Sequence, residues 1–200
     1  MTTTPAVSLA ERKRRLVADE LAQAALELFT RKGFDAVTVD EIAADAGVSK
    51  RTFFRYFASK EDVIVHVLAE LGADMRAELA SRPPEEPPSV ALRHAVAVSV
   101  TSCTDHPDQA RRVVRLILDT PALYARFLER QAQWREELAA ELATRTGSAD
   151  GLHPRLAAGT ALAAFDVILQ QWSTTGQDPA GLTARAFAAL APALDATGAP

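Results

Sequence analysis

Thr38-Val-Asp-Glu-Ile-Ala-Ala-Asp-Ala-Gly-Val-Ser-Lys-Arg-Thr-Phe-Phe-Arg-Tyr-Phe57 is the stretch whose reading decides the fold. Thr38 and Glu41 have the spacing of a capping box, in which each side chain satisfies a backbone donor of the other. Val39, Ile42, Ala43 and Ala46 recur as a helical stripe, Gly47 ends it, and Ser49 stands where a second cap belongs. Each of the two helices is only about two turns long, a length that is marginal in water without something to pack on. Two short helices around a tight glycine turn have the layout of a helix-turn-helix, whose second helix enters the major groove of DNA.

A helical wheel divides the second helix, which runs from Lys50 to about Phe57. Phe53 and Phe57 share one face and point to a core. Arg51, Thr52 and Arg55 lie opposite, with Phe54 and Tyr56 on the flanks. Arg51 and Arg55 can each fork onto guanine O6 and N7, and Thr52 can bond a base or offer its methyl to a thymine. Phe54 reads equally as core filler or as a thymine-methyl contact. Lys50 and Tyr56 suit phosphates, which position a protein without reading sequence. Lys60, at the start of the next helix, and Thr38, at the start of the first, suit phosphates too.

Working outward, Arg12 to Lys32 reads as a helix with Val17, Leu21, Ala24, Ala25, Leu28 and Phe29 on one stripe, closed by the basic pair Arg31–Lys32 and Gly33. It is the obvious support, with Phe34, Ile42, Phe53 and Phe57 completing a small core. Ser59, with Asp62 as partner, caps a fourth helix carrying Val63, Ile64, Val67, Leu68 and Leu71. The proline-rich segment Arg82 to Pro88 reads as a solvated turn. Five more helices follow, roughly Val90 to Cys103, Pro107 to Asp119, Pro121 to Arg145, His153 to Thr175 and Pro179 to Leu194. Pro107, Pro121 and Pro179 each fall in a first turn, where proline is tolerated.

The expectation is an all-α chain of about nine helices. A three-helix DNA-binding domain would occupy residues 10–60, and a larger helical domain residues 61–195, with residues 1–9 and 196–200 as flexible termini. Composition agrees: 48% of residues are apolar but only 6% aromatic, and the apolar set is dominated by alanine and leucine, the strongest helix formers. A net charge of −4 does not suggest a DNA binder, but Arg12–Arg15 and the run from Lys50 to Lys60 concentrate cations. The single Cys103 reads as a small buried hydrophobe in a reducing cytosol. No signal peptide and no apolar run of about 20 residues is seen, so a cytoplasmic location without membrane contact is expected. His66, His94, His106 and His153 are scattered without metal-ligand spacing, and no nucleophile elbow, phosphate loop or dinucleotide fingerprint is present. No catalytic residue, metal or cofactor is therefore expected.

Ala24-Ala-Leu-Glu-Leu-Phe29, Gly33-Phe34, Thr38-Val39, Ile42-Ala43, Ala46-Gly47-Val48-Ser49, Tyr56-Phe57 and Ser59-Lys60-Glu61 together resemble the N-terminal domain of the tetracycline-repressor (TetR) family. The resemblance spans about Leu16 to Leu71. It implies phosphate contacts at Thr38, Lys50, Tyr56 and Lys60, and base contacts at Arg51, Thr52, Phe54 and Arg55. Two positions depart from the family pattern: Arg51 stands where glycine is frequent, and Phe54 where tyrosine is frequent. The operator sequence therefore does not carry over.

The resemblance further implies a homodimer formed by the last two helices. Leu156, Thr160, Ala164, Ile168 and Trp172 lie along one stripe of the first, and Leu182, Ala186, Ala189, Leu190 and Ala193 along the second; internal core is the alternative. It also implies a small-molecule ligand in the larger domain. Leu123, Phe127, Gln131, Trp134 and Leu138 fall near one face, and a Gln between Phe and Trp suits a partly polar pocket, core packing being the alternative. His94, Leu116 and Phe165 are further pocket candidates. Arg111-Arg-Val-Val-Arg-Leu-Ile-Leu-Asp-Thr-Pro-Ala-Leu123, Trp134 and Arg145-Thr-Gly147 are similar to a subgroup of actinobacterial regulators typified by the mycofactocin-associated one, which implies an acyl-thioester or other amphipathic ligand. Repression of a palindromic operator, relieved by that ligand, is the expected function, with activation or ligand-free control as alternatives.

Overall fold

The computed structural model describes residues 8–101, 107–147 and 151–196. Nine helices occupy them: α1 (Leu9–Lys32), α2 (Val39–Asp45), α3 (Lys50–Tyr56), α4 (Asp62–Ser81), α5 (Pro88–Thr101), α6 (Pro107–Asp119), α7 (Pro121–Thr146), α8 (Leu152–Thr175) and α9 (Pro179–Leu194). No strand occurs among the described residues. Cys103 and His106 lie outside them, as do residues 1–7 and 197–200 of the termini expected to be flexible.

Ser8 and Leu9 correct the expected N-terminal boundary. The Ser8 side chain accepts from the Glu11 amide and the Glu11 carboxylate accepts from the Ser8 amide, at 3.2 and 2.9 Å. This capping box starts α1 ahead of Arg12.

The chain divides into two compact units, residues 1–67 and 68–200, with the division inside α4; the expected boundary lay at residue 60. In the first unit Leu21, Ala25, Leu28 and Phe29 of α1 are buried together with Phe34, Ile42, Phe53, Phe57, Val63 and Ile64. Phe29 and Phe34 sit 5.0 Å apart, and Phe53 and Phe57 5.6 Å apart. Burying each such side chain stabilises by roughly 1.5–3 kcal/mol, which is how two seven-residue helices persist.

In the second unit α8 packs on α7 and α9, α5 on α8 and α9, and α6 on α7 and α8. Its core is built on Trp134, Phe127, Phe165, Phe187, Met75, Leu79 and Leu92. The Asp195 carboxylate closes this unit from the far end of α9 by accepting from the Ser89 amide and hydroxyl at 2.8 and 2.7 Å, at the start of α5. Arg145 donates to the carbonyls of Leu79, Arg82 and Pro83 at 3.2, 2.6 and 2.7 Å. The proline-rich turn is therefore stapled to the end of α7, with Arg82 held between Glu78 and Glu86. Its residues Pro83, Pro84, Glu85 and Pro87 are exposed, as expected of a solvated turn.

α8 also departs from expectation, because it is long and apolar enough to cross a membrane by length and composition. Half of that apolar window is buried inside the unit, where Ala157, Ala161, Leu162, Phe165, Ile168 and Trp172 face the core. Asp166 and the paired glutamines Gln170 and Gln171 interrupt the run and mask its length in the sequence.

Candidate nucleic-acid interface

Local hydrogen bonds set α2 and α3. Thr38 caps α2: its hydroxyl accepts from the Glu41 amide at 3.2 Å while its own amide donates to the Glu41 carboxylate at 2.9 Å. Glu41 also accepts from Lys32 Nζ at 2.7 Å. The Lys32 bond first, then the Thr38 amide and hydroxyl, hold its carboxyl well below the ordinary value, at about 2. This node ties the last turn of α1 to the first turn of α2. Gly47, at φ +66°, takes the left-handed turn that side chains rarely adopt. The Val48 amide then donates to the Ala43 carbonyl at 2.8 Å. Ser49 caps α3 by accepting from the Thr52 amide at 3.1 Å.

On α3, Phe53 is fully buried and Phe57 nearly so, whereas Arg51, Phe54 and Arg55 are exposed. The wheel's division of the helix is thus the one the structure has, and Phe54 lies on the outer side, 50% exposed. Its ring meets Phe53 edge-on at 5.6 Å, so it is braced by the core without being part of it. The Arg55 guanidinium stacks over the half-buried Tyr56 ring at 5.2 Å, which orients a planar donor fork. Thr52 is half-buried and its hydroxyl lies 2.9 Å from that of Ser49.

The two lysines expected at phosphates have other bonds. Lys50 pairs with Asp40 at 2.8 Å, an exposed ion pair of small worth that an anion can displace. Lys60 donates to the carbonyls of Phe34 and Val37 at 2.7 and 3.1 Å and rests 4.3 Å from the Phe34 ring. It ties the start of α4 to the loop after α1 and keeps one of its three donors for an outside partner. Residue spacing carries no sign of this, because the acceptors are carbonyls far away in the chain.

The expected ligand residues divide. Phe127, Trp134 and Phe165 meet in the core of the second unit, Phe127 edge-on to Trp134 at 6.1 Å and Trp134 tilted against Phe165 at 6.4 Å. Gln131 lies one turn from Trp134; its side-chain amide nitrogen and the Trp134 indole nitrogen are buried without hydrogen-bond partners. His94 on α5 is instead held by Arg93 at 3.2 Å, and Leu116 is half-buried on α6; neither belongs to the ring cluster. Gly72 of α4 is a residue that spacing does not single out. A Cβ there would come within 1.9 Å of the Trp134 indole nitrogen, so the nitrogen edge of the indole packs directly on the α4 backbone.

The expected dimerisation stripe divides as well. Ala164, Ile168, Trp172 and Leu182 are buried within the chain's own core; Thr160, Ala186 and Leu190 are half-buried, and Leu156 is 60% exposed. The bulkiest stripe of α8 faces inward because that is where it buries most apolar area. Its outer face carries Leu156, Ala163 and Val167 instead. An open apolar groove between α5 and α9 lies next to the exposed Ala184 and Ala188. No group of three or more metal-ligating side chains occurs among the described residues.

A capped helix pair with an exposed cationic face, in a chain whose second unit is also helical, defines a helix-turn-helix DNA-binding protein. The family model described as bacterial regulatory proteins, tetR family, matches residues 21–67, and that of the MftR C-terminal domain matches residues 86–195. The HTH-type transcriptional regulator TcmR of Streptomyces glaucescens is 33% identical over 172 residues, 82% of this chain and 76% of that protein. MftR of Mycobacterium tuberculosis, named for mycofactocin biosynthesis, is 35% identical over 153 residues, 72% of each. FadR from Bacillus subtilis, solved in complex with stearoyl-CoA, shares the fold with TM-score 0.66 at 20% identity, over 86% of this chain and 97% of that one. The chain belongs to the TetR family of transcriptional regulators.

Proposed function

We propose that the chain is a ligand-responsive repressor that binds a palindromic operator as a homodimer in the cytoplasm and leaves it when a small amphipathic ligand binds the larger unit. The observation that carries this is the two-faced α3: Phe53 and Phe57 are buried while Arg51 and Arg55 are exposed. Arg51, Thr52, Phe54 and Arg55 read bases, and Thr38, Lys50, Tyr56 and Lys60 serve phosphates. A dimer joined by the outer faces of α8 and α9, with Leu156 and Val167 in the contact, presents two reading helices about 34 Å apart, one turn of DNA.

The ligand sits by the Phe127–Trp134–Phe165 cluster and brings a hydrogen-bond acceptor to the unpartnered nitrogens of Gln131 and Trp134. An acyl thioester fits that description. To release DNA it must bind the non-reading state more tightly than the reading state. The Trp134–Gly72 contact is where it would act on α4, the helix in which the two units divide. The test is footprinting on the DNA upstream of the protein's own coding sequence, with and without medium-chain acyl thioesters. Protection of a two-fold symmetric site, abolished on adding thioester, is the expected result. An asymmetric footprint, or one that no thioester alters, defeats the corresponding half of the proposal.

A further inference from the structure

The first turns of α1 do something the reading helix does not account for. Every residue from Leu9 to Leu16 is exposed, and the first buried side chain of α1 is Ala18. The helix thus overhangs the core by eight residues, about 12 Å at 1.5 Å per residue. Leu9 and Leu16 are 69% and 62% exposed, so the overhang has no core of its own. It carries four consecutive cations, Arg12, Lys13, Arg14 and Arg15. They stand at the positive end of the helix dipole and close to one another, which is unfavourable on both counts. The side chains of Arg12, Lys13 and Arg14 have no hydrogen-bond or ion-pair partner among the described residues, whereas Arg15 is engaged.

The charge balance shows why such a segment matters. Residues 1–67 hold ten cationic and ten acidic side chains, so the DNA-binding unit is neutral overall and the net charge of −4 falls on residues 68–200. Within the unit Lys32 and Lys50 are paired with carboxylates, and Lys60 spends two donors on carbonyls. The overhang is therefore the densest set of uncommitted cations in the unit.

We infer that the overhang of α1 is a second DNA contact, in which Arg12, Lys13 and Arg14 neutralise backbone phosphates flanking the site read by α3. The occupant is duplex DNA because the segment belongs to the same compact unit as the reading helix and is complementary in charge to a phosphate backbone. The contact is indifferent to sequence and raises affinity for all duplexes alike. This inference rests on the assignment of α3 as the reading helix.

The test replaces Arg12, Lys13 and Arg14 together by alanine in the full chain. Alanine keeps the exposed helix intact, which circular dichroism checks. Binding is titrated against salt on two duplexes, one bearing the footprinted site and one of shuffled sequence. The expected result is a log–log salt slope shallower by about 0.9 for each phosphate that the variant no longer neutralises, equally on both duplexes, with the preference between them retained. The variant Arg12→Lys with Arg14→Lys keeps the parent slope. A triple variant with the parent slope overturns the inference, whether or not it has ceased to bind vesicles of anionic phospholipid. A parent that does not prefer its own site would instead defeat the reading-helix assignment, while the slopes on shuffled DNA still decide this one.

Discussion

The two aromatic clusters of this chain are finished to different degrees. Around Phe29, Phe34, Phe53 and Phe57, the polar groups are closed by short bonds: Thr38 with Glu41, Ser49 with Thr52, Ser59 with Asp62, and Lys60 with two carbonyls. Around Phe127, Trp134 and Phe165 the rings are as deeply buried, yet Gln131 and Trp134 keep buried nitrogens without partners. Across α8, Asp166 accepts from Gln170 with one oxygen while its other is buried and unpartnered, and burial pushes its carboxyl up. Leaving a buried donor unmade costs about 1–3 kcal/mol. The reading unit is therefore built for one geometry, and the larger unit holds back stability that a partner for those atoms can supply.

The largest effect expected from this contrast belongs to Gly72→Ala. The new methyl would press on the Trp134 indole and cost about 3 kcal/mol, the upper end for overpacking. Both tryptophans, Trp134 and Trp172, lie in the larger unit, so fluorescence-detected urea unfolding reports on that unit alone. An unshifted midpoint would mean that the α4–Trp134 contact yields easily and that the contrast is overstated.

Arg55→Ala should weaken binding to the footprinted site by about 2 kcal/mol and relax base preference at one position of each half-site, as selection from randomised duplexes would reveal. Unchanged preference would leave Arg55 as a solvated cation. Thr38→Ala removes a cap and should cost the reading unit about 1 kcal/mol, visible as faster amide exchange across α2 with the tryptophan transition unmoved. A shift of both would show that the two units unfold as one.

The smallest effect concerns pH. The Glu41 carboxyl is lowered from 4.5 to about 2, so its ionised form is the one the fold holds. The stability it contributes is complete above 4.5 and is lost as pH falls through about 2. Glu41→Gln should therefore exchange faster than the parent across α2 at pH 6, with the difference closing towards pH 2. A gap that persists at pH 2 would assign the effect to shape and not charge.

The same contrast explains what can be read from the sequence. Caps act over three residues, and a helix face repeats every three to four, so α2, α3 and the inward turn of Phe53 and Phe57 are legible. Lys60 reads as a phosphate contact because its neighbours in sequence say nothing of carbonyls at residues 34 and 37. The close approach of Trp134 to Gly72 joins helices separated by most of the larger unit's first half, and no spacing rule announces it. On α8 apolar side chains occur on both faces, so periodicity picks the bulkier stripe for the dimer although Ile168 and Trp172 are needed inside. The overhang of α1 is visible as a basic run. Its start is also legible, since Ser8 and Glu11 have the same capping-box spacing as Thr38 and Glu41, but the apolar stripe begins only near Val17 and draws the helix start too late.

The clasp between Asp195 and Ser89 has a consequence for how the chain is made. It joins groups 106 residues apart, so the start of α5 stays without this partner until nearly the whole described chain has been synthesised. Every stabilising bond named in the reading unit lies within residues 8–67. That unit can fold while the ribosome is still elongating, and the larger one closes only once Asp195 has been made. During that interval the nascent chain carries a folded helix-turn-helix unit while its larger unit is still incomplete.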